Sequence, residues 1–295
     1  KGVKGEGKKP YYVAIKKIKL KSAKEGLSQE AIREIKILQE LSHPNVVSIL
    51  DIYKNNANIN LVMELMETDL DRVIKDTSFI LTPSDVKAYM KMLIEAVAHC
   101  HSRWILHRDI KPGNCIVSYD GSLHLTDFGL AKAYGSPERK MSPGACTIWY
   151  RAPEMLFQAN SYGAAVDIWS VGCVFGELMT RKPMFPSNGT ELNQLSKIFQ
   201  KLGTPEDDEW PERKNLRFYE MYQFDKTEPV PLATLFPAAS KEARDLLGKL
   251  LRFNPNKRIT ATQALKHPYF LKKPNPTPLE QMPTVLKRRR QQEEE

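Results

Sequence analysis

The sequence predicts an α+β chain of two lobes, a small β-rich one followed by a larger helical one. Three observations carry this. Strand-like runs of aromatic and β-branched residues crowd into the first sixty-odd positions. From about residue 70 the apolar spacing turns to that of helices. The 295 residues are 41% hydrophobic, enough for a large core. A small lobe set before a large one suggests a ligand cleft between them.

Taken in order, Tyr11-Tyr12-Val13-Ala14-Ile15 reads as a strand. Residues 28–41, SQEAIREIKILQEL, read as a helix: Ser28 caps it, acids follow, and Ala31, Ile35, Leu38 and Leu41 fall on one face. Ser42-His43-Pro44 ends it. Strands follow at 46–53 and 59–64. Thr82-Pro83-Ser84-Asp85 starts a helix that runs through MKMLIEAVAHCHS. After the loop-rich stretch 104–154, helices lie near 166–180, 190–202 and 240–251. Residues 204–236, rich in Pro, Asp and Glu, read as a long surface excursion. Residues 274–295 carry Pro274, Pro276, Pro278 and Pro283, then Lys287-Arg288-Arg289-Arg290 and a run of glutamates. Without apolar periodicity they read as a mobile tail.

Composition excludes several classes. No stretch approaches the roughly 18–20 apolar residues of a membrane helix, and the charged, glycine-rich start is unlike a signal peptide. Cys100, Cys115, Cys146 and Cys173 form no C-x-x-C pair, which argues against a disulfide framework or zinc site and for a reducing compartment. The net charge of +9 comes with no zinc-finger spacing, no G-F-G-F-type sheet motif and no basic helix interleaved with aromatics. Direct nucleic-acid binding is therefore not expected, and most of the excess charge reads as solvated surface.

The chemistry lies in 107–129. His107-Arg108-Asp109-Ile110-Lys111-Pro112-Gly113-Asn114 fits H-R-D-x-x-x-x-N, and Asp127-Phe128-Gly129 follows. Ala152-Pro153-Glu154 comes next, and Val13-Ala14-Ile15-Lys16 lies upstream in a predicted strand. A lone D-F-G would mean little. The four motifs in this order resemble the protein-kinase signature set, and the resemblance covers essentially all of 1–270. It implies a bilobal protein-kinase fold: an N-lobe over 1–63, a hinge at 64–69, a C-lobe over 70–273 with an activation segment at 127–154, and the tail after 273.

Phosphoryl transfer explains the residue types, because it is mostly positioning and charge neutralisation. The resemblance implies ATP and Mg²⁺, with Asn114 and Asp127 as hard oxygen ligands. It makes Asp109 the carboxylate that orients a substrate hydroxyl and accepts its proton, and Lys111 a point charge at the γ-phosphate, the serine/threonine-kinase pattern. Lys16 would hold the α- and β-phosphates, steadied by Glu34. Thr147 resembles the threonine that touches Asp109 and Lys111. His107 reads as a packed loop histidine. Asp167 resembles the aspartate that braces the catalytic loop, and Glu154 the partner of an arginine, here Arg258. Residues 61–70, LVMELMETDL, resemble the hinge: Glu64 and Met66 would meet adenine through their backbones, Met63 would stand at the back, and Asp69 could take a ribose hydroxyl. Ala14 and Ile116 would supply apolar walls.

Ala31-Ile32-Arg33-Glu34 matches the end of P-S-T-A-I-R-E, the cyclin-contacting signature of cyclin-dependent kinases, while the first three positions differ. No T-x-Y precedes W-Y-R-A-P-E, as it would in a MAP kinase. LQELSHPN, METDL, LTPSDVKAYM, SRWILHRD and RITATQAL carry a likeness to the CDK-activating kinases attached to transcription factor TFIIH. That likeness implies a cyclin on the 28–41 helix, an assembly factor and TFIIH as partners, and protein substrates. These would be Ser/Thr-Pro sites in RNA polymerase II C-terminal repeats and in the activation loops of other cyclin-dependent kinases. It also implies a nuclear location, to which Lys287–Arg290 adds a cluster that reads about equally as a solvated charge run. By position Ser142 is the activating phosphosite, where relatives usually carry threonine, and Ser136-Pro137 is a second proline-directed site. Arg33, Arg108 and Lys132 would receive the phosphate. Ala145 and Cys146, smaller than the family's valines, put the strictness of the proline preference in doubt. Another cyclin-dependent kinase, or a catalytically silent scaffold with this fold, are the alternatives.

The opening Gly2-Val3-Lys4-Gly5-Glu6-Gly7 invites a reading as the phosphate loop. Too few residues separate it from Lys16 for two strands and a turn, so it reads as a hairpin turn. The chain is then expected to start inside the nucleotide-binding sheet, with the glycine loop upstream.

Overall fold

The computed structural model describes residues 12–19, 29–55, 58–78, 80–134, 148–219, 221–222 and 224–283. The first lobe is built on strands β1 (Val13–Lys19), β2 (Ile49–Asn55) and β3 (Asn58–Glu64), in the antiparallel order β1-β3-β2. β1 runs past the expected Ile15 to Lys19 because its ladder with β3 continues, from Val13 opposite Glu64 to Lys19 opposite Asn58. Alternation puts Ala14, Lys16 and Ile18 on the half-buried face and leaves Ile15 and Lys17 exposed. The expected strand at 46–53 begins only at Ile49. Val46 and Val47 are 1% exposed and instead tie to the second lobe, Val46 bridging Leu125 and the Val47 N–H donating to the Leu125 carbonyl at 3.0 Å. An apolar pair resembled strand from sequence because inter-lobe packing selects the same residue types.

Helix α1 (Gln29–Glu40) follows β1 in the chain and packs against the turn at 128–130. Its buried face is Ala31, Glu34, Ile37 and Leu38, with Leu41 just beyond. This differs from the expected stripe through Ile35, which is only half-buried. The rotation brings a carboxylate inward and leaves Ile32 41% exposed. A short strand β4 (Thr68–Asp69) and helix α2 (Leu70–Lys75) lead into the second lobe.

The second lobe is organised around α3 (Pro83–Ser102), opened by the expected Thr82-Pro83-Ser84-Asp85. Thr82 and Asp85 form a capping box and proline occupies the first turn, so two helix-start devices coincide. Strands β5 (Ile105–Leu106), β6 (Cys115–Val117), β7 (Leu123–Leu125) and β8 (Lys132–Ala133) make two small sheets, β4-β6-β7 and β5-β8. Helices α4 (Pro153–Leu156), α5 (Ala165–Thr180), α6 (Glu191–Leu202), α7 (Leu232–Leu235), α8 (Lys241–Leu250), α9 (Ala261–Leu265) and α10 (Pro268–Leu271) complete the lobe. α5 is buried from Val166 to Leu178 and packs against α3 and α8. A helix apolar all round belongs at the centre.

Two expectations are corrected. Residues 204–236 are not only a surface excursion: Trp210 is 2% exposed and, with Tyr219, Tyr222 and Phe224, surrounds Phe157 in a cluster of mostly edge-to-face rings. The described part of the tail, 274–283, is held against α3 rather than loose. Met282 is fully buried, and a Cβ on Gly121, whose φ is 95°, would collide with it. Lys287–Arg290 lies outside the described residues.

Candidate active site

The site is built where the β5–β6 loop, the turn after β7 and the β1–α1 pair meet. The catalytic-loop segment 107–111 holds its shape through one buried carboxylate. Asp167, at the start of α5 and 1% exposed, accepts the His107 N–H at 2.9 Å and the Arg108 N–H at 2.8 Å. It also meets His101 Nε2 at 2.9 Å. Burial alone would push this carboxyl up, but the His101 bond and charge, His107 and the Arg108 N–H outweigh it and hold it below the usual range. Arg108 sits at φ 67°, a left-handed conformation uncommon for arginine, which turns successive N–H groups onto Asp167.

His107 is 1% exposed. Its Nδ1 accepts the Asp109 N–H at 3.2 Å, so the proton lies on Nε2, which donates to the Thr126 carbonyl at 2.8 Å. Burial lowers its basicity, and Phe128 packs edge-on at 4.7 Å. This is the packing histidine expected from sequence.

The loop presents Asp109, 6% exposed. Its Oδ2 accepts from Lys111 Nζ at 2.7 Å and from Asn114 Nδ2 at 2.8 Å. Asn114 Nδ2 also donates to the Asp109 carbonyl at 2.8 Å. These bonds fix the carboxamide through its nitrogen, so its oxygen is the atom that would face a metal. Asp127 sits at φ 63°, again left-handed, with its side chain 48% exposed toward the opposite lobe. Lys16 Nζ lies 2.6 Å from Glu34 Oε1 and 3.4 Å from Asp127 Oδ1. Burial would lower the Lys16 ammonium's affinity for its proton, but the bonds and charges of Glu34 and Asp127 overcome this and raise it. The ion pair thus spans both lobes.

The hinge side is placed by register. Met63 lies opposite Ala14, and Asp69 opposite Ile116, so each expected apolar wall is paired with a residue of the hinge segment. Met63 and Ile116 are half-buried and pack on the core. Glu64 is exposed and Met66 half-buried. Asp69 has a structural task that sequence did not reveal: it caps α2, accepting the Arg72 N–H at 2.9 Å.

The elements that carry Arg33, Arg108 and Lys132 meet at one turn. α1 packs against the 128–130 turn, the Arg108 Nε donates to the Leu130 carbonyl at 2.7 Å, and Lys132 lies opposite Leu106. Tyr162 also holds Arg108, through its hydroxyl at 3.0 Å, a partner 54 positions away that no local pattern announces. Ser136, Ser142, Cys146 and Thr147 lie outside the described residues. The segment's far end is anchored. Trp149 donates to the Ser187 carbonyl at 2.9 Å, and Tyr150 donates to the buried Glu177 at 2.6 Å. Arg258 grips Glu154 through two bonds of 2.6 and 2.8 Å.

Among the described residues no group of three or more His, Cys, Asp or Glu could hold a metal. Asp127 and Asn114 supply two oxygen donors. That donor set fits Mg²⁺, which usually takes one or two protein ligands and completes its shell with water and phosphate. No helix among the described residues is long and apolar enough to cross a membrane. Cys100, Cys115 and Cys173 are buried, unpaired thiols whose burial pushes them up.

Comparison with known proteins agrees with this geometry. Residues 4–270 match the protein kinase domain family. A cyclin-dependent kinase 7 of Dictyostelium discoideum is 52% identical over 274 residues, covering 90% of this chain and 75% of the relative. This chain belongs to the protein kinase family, in its cyclin-dependent branch. The serine/threonine-protein kinase KIN28 of Saccharomyces cerevisiae is 46% identical, over 90% of this chain and 87% of its own length. Among solved structures, a chain of the CAK complex of Chaetomium thermophilum bound to ATP-γ-S superposes with a TM-score of 0.86. It is 41% identical, with 92% of this chain and 86% of that chain covered. The fold is the bilobal kinase fold and the enzyme is a serine/threonine kinase.

Proposed function

We propose that this kinase uses ATP and Mg²⁺ to phosphorylate Ser/Thr-Pro sites, in polymerase II C-terminal repeats and in the activation loops of other cyclin-dependent kinases. One observation carries the reading. The Lys16–Glu34–Asp127 contact across the lobes and the Asp109–Lys111–Asn114 cluster are assembled at once. A scaffold has no need to keep both. Lys16 would bind the α- and β-phosphates, with Glu34 fixing its reach. Asp109 would orient the substrate hydroxyl and take its proton, a role worth typically about 10²–10⁴-fold. Lys111, held on Asp109, would meet the γ-phosphate. Asp127 and Asn114 would hold Mg²⁺, whose charge offsets that of the phosphates. Ala14, Met63, Glu64, Met66, Asp69 and Ile116 would enclose the nucleoside.

The outward Ile32 and half-buried Ile35 give α1 an apolar outer edge, which supports a cyclin seated there. The likeness to relatives supports an assembly factor and TFIIH as partners and a nuclear location. Ser142, and secondarily Ser136, are the phosphosites of this reading, with Arg33, Arg108 and Lys132 as receivers. The test is phosphate transfer to a polymerase repeat peptide, with and without cyclin, beside Asp109→Asn. Transfer that rises with cyclin and is lost in the variant is expected. Equal activity in the variant would sink the mechanism.

A further inference from the structure

Residues 274–283 form a strap laid over the start of α3. Lys87 Nζ, on a residue 3% exposed, donates to the carbonyls of Lys272 and Pro274, each at 2.7 Å. The Thr277 N–H donates to the Ser84 carbonyl at 3.2 Å, and the Tyr89 hydroxyl reaches the Pro283 carbonyl at 3.3 Å. The latch at the middle is Thr277, whose Oγ1 donates to Asp85 Oδ1 at 2.6 Å. Asp85 cannot turn away. Its other oxygen accepts the Thr82 N–H at 2.9 Å and the Thr82 hydroxyl at 2.7 Å, as the reciprocal half of the capping box that opens α3.

Thr277 is followed by Pro278, and Pro274, Asn275 and 278–281 are exposed. We infer that Thr277 is a phosphoacceptor for a proline-directed serine/threonine kinase, and that its phosphate unlatches the strap from α3. In the transfer, a bond forms between Thr277 Oγ1 and the γ-phosphorus of the attacking kinase's ATP. The bond from that phosphorus to the β–γ bridging oxygen breaks, ADP leaves, and the hydroxyl proton passes to that kinase's catalytic carboxylate. The product places about −1.5 to −2 charges where a hydroxyl hydrogen now bridges to a carboxylate. The donor is lost, and two anions meet at a distance set for a hydrogen bond. The strap has a counterweight in Lys87, but its ammonium is already spent on the Lys272 and Pro274 carbonyls. Release would expose Met282 and free one wall of a cavity of about 620 Å³ that Lys272, Lys273 and Pro274 share with Val86, Met179 and Phe236. This proposal does not depend on the chain's own substrate preference.

The full chain carrying Asp109→Asn is incubated with ATP and an active MAP-type proline-directed kinase, so that every phosphate comes from the added enzyme. Thr277 occupancy is read by mass spectrometry and strap opening by amide hydrogen exchange, with α5 as the reference for global folding. Phosphate at Thr277, with exchange at the Thr277 and Met282 amides at least about tenfold faster and α5 unchanged, is expected. Thr277→Glu should act in the same direction, and Thr277→Val, which loses the bond without adding charge, should act more weakly. No phosphate at Thr277 while a Ser-Pro control peptide is fully modified would overturn the proposal. So would slower exchange, the sign that Lys87 captures the phosphate, or equal exchange in the Glu and Val variants.

Discussion

Two carboxylate–cation pairs, Glu34–Lys16 and Glu154–Arg258, share a contact distance of 2.6 Å and differ in nearly everything else. The Arg258 and Glu154 side chains are 0% and 4% exposed, within one lobe. Arg258 spends its remaining donors on the carbonyls of Arg252, Phe253 and Ala165 and stacks its guanidinium over Trp169 at 5.1 Å. Lys16 is 38% exposed, makes one bond to a helix of the small lobe and shares its charge with Asp127. A saturated, buried fork resists separation. A half-exposed ammonium with one strong bond can be made or broken by a small shift of α1. On the proposed function, the same chemistry would serve as a permanent rivet at the end of the activation segment and as a contact that assembles the site.

Removing one member of each pair tests that contrast, and the rivet should give the larger effect. Arg258→Ala leaves Glu154 buried without its partner and three carbonyls without their donor. Breaking a buried pair from one side costs about 3–5 kcal/mol. Urea unfolding of the variant should show that loss, with a reduced midpoint. A loss below about 1 kcal/mol would mean that the pair behaves like a surface bridge, and the contrast would fall.

Glu34→Gln should divide differently between stability and rate. The Lys16 side of the pair is 38% exposed although Glu34 is only 7% exposed, and glutamine keeps the side-chain shape and an oxygen that can accept from Lys16. The stability loss should therefore stay near the roughly 1 kcal/mol of a surface pair and well under that of a buried one. Phosphate transfer should fall by about 10²-fold, the order expected when a phosphate-holding group is misplaced by an ångström. Steady-state kinetics beside urea unfolding separate the two. A large stability loss with unchanged transfer would reverse the roles assigned to the two pairs.

The sequence carried the chemistry of both pairs but not their physical difference. Lys16, Glu34, Asp109, Asn114, Asp127, Glu154 and Arg258 were legible because phosphoryl transfer and the fold's bracing demand fixed residue types at recognisable spacings. Apolar periodicity alone did not show the inward turn of Glu34, which only the motif implied, because Ile35 competes for the same stripe and packing on the 128–130 turn decides between them. Long-range partners were equally hidden: Tyr162 on Arg108 and His101 on Asp167 have no local signature. The strap at 274–283 was misread for a similar reason. Its prolines and exposed polar residues look like a tail, while what fixes it is a lysine, a tyrosine and an aspartate on a helix almost two hundred positions earlier.

The catalytic loop should fall on the riveted side of the comparison, and pH tells on which side it lies. His107 is buried, and burial depresses its affinity for a proton below the ordinary value of about 6.5. In the unfolded chain the imidazole titrates normally. Between that value and the depressed one, the unfolded state binds the proton that the folded state refuses, so stability falls as pH falls. One such group contributes at most about 1.4 kcal/mol per pH unit, and the loss begins as pH drops through about 6.5. His43, His99 and His124 are shifted in the same direction by burial, so the slope of the native chain is shared. His107→Asn isolates one part. The variant should be less stable at pH 7.5, with a shallower slope of urea midpoint between pH 7.5 and 5.5, so that its deficit narrows on acidification. Parallel slopes would show that His107 takes up its proton in the folded chain, and the loop would then belong with Lys16 and Glu34 among the contacts that can be remade.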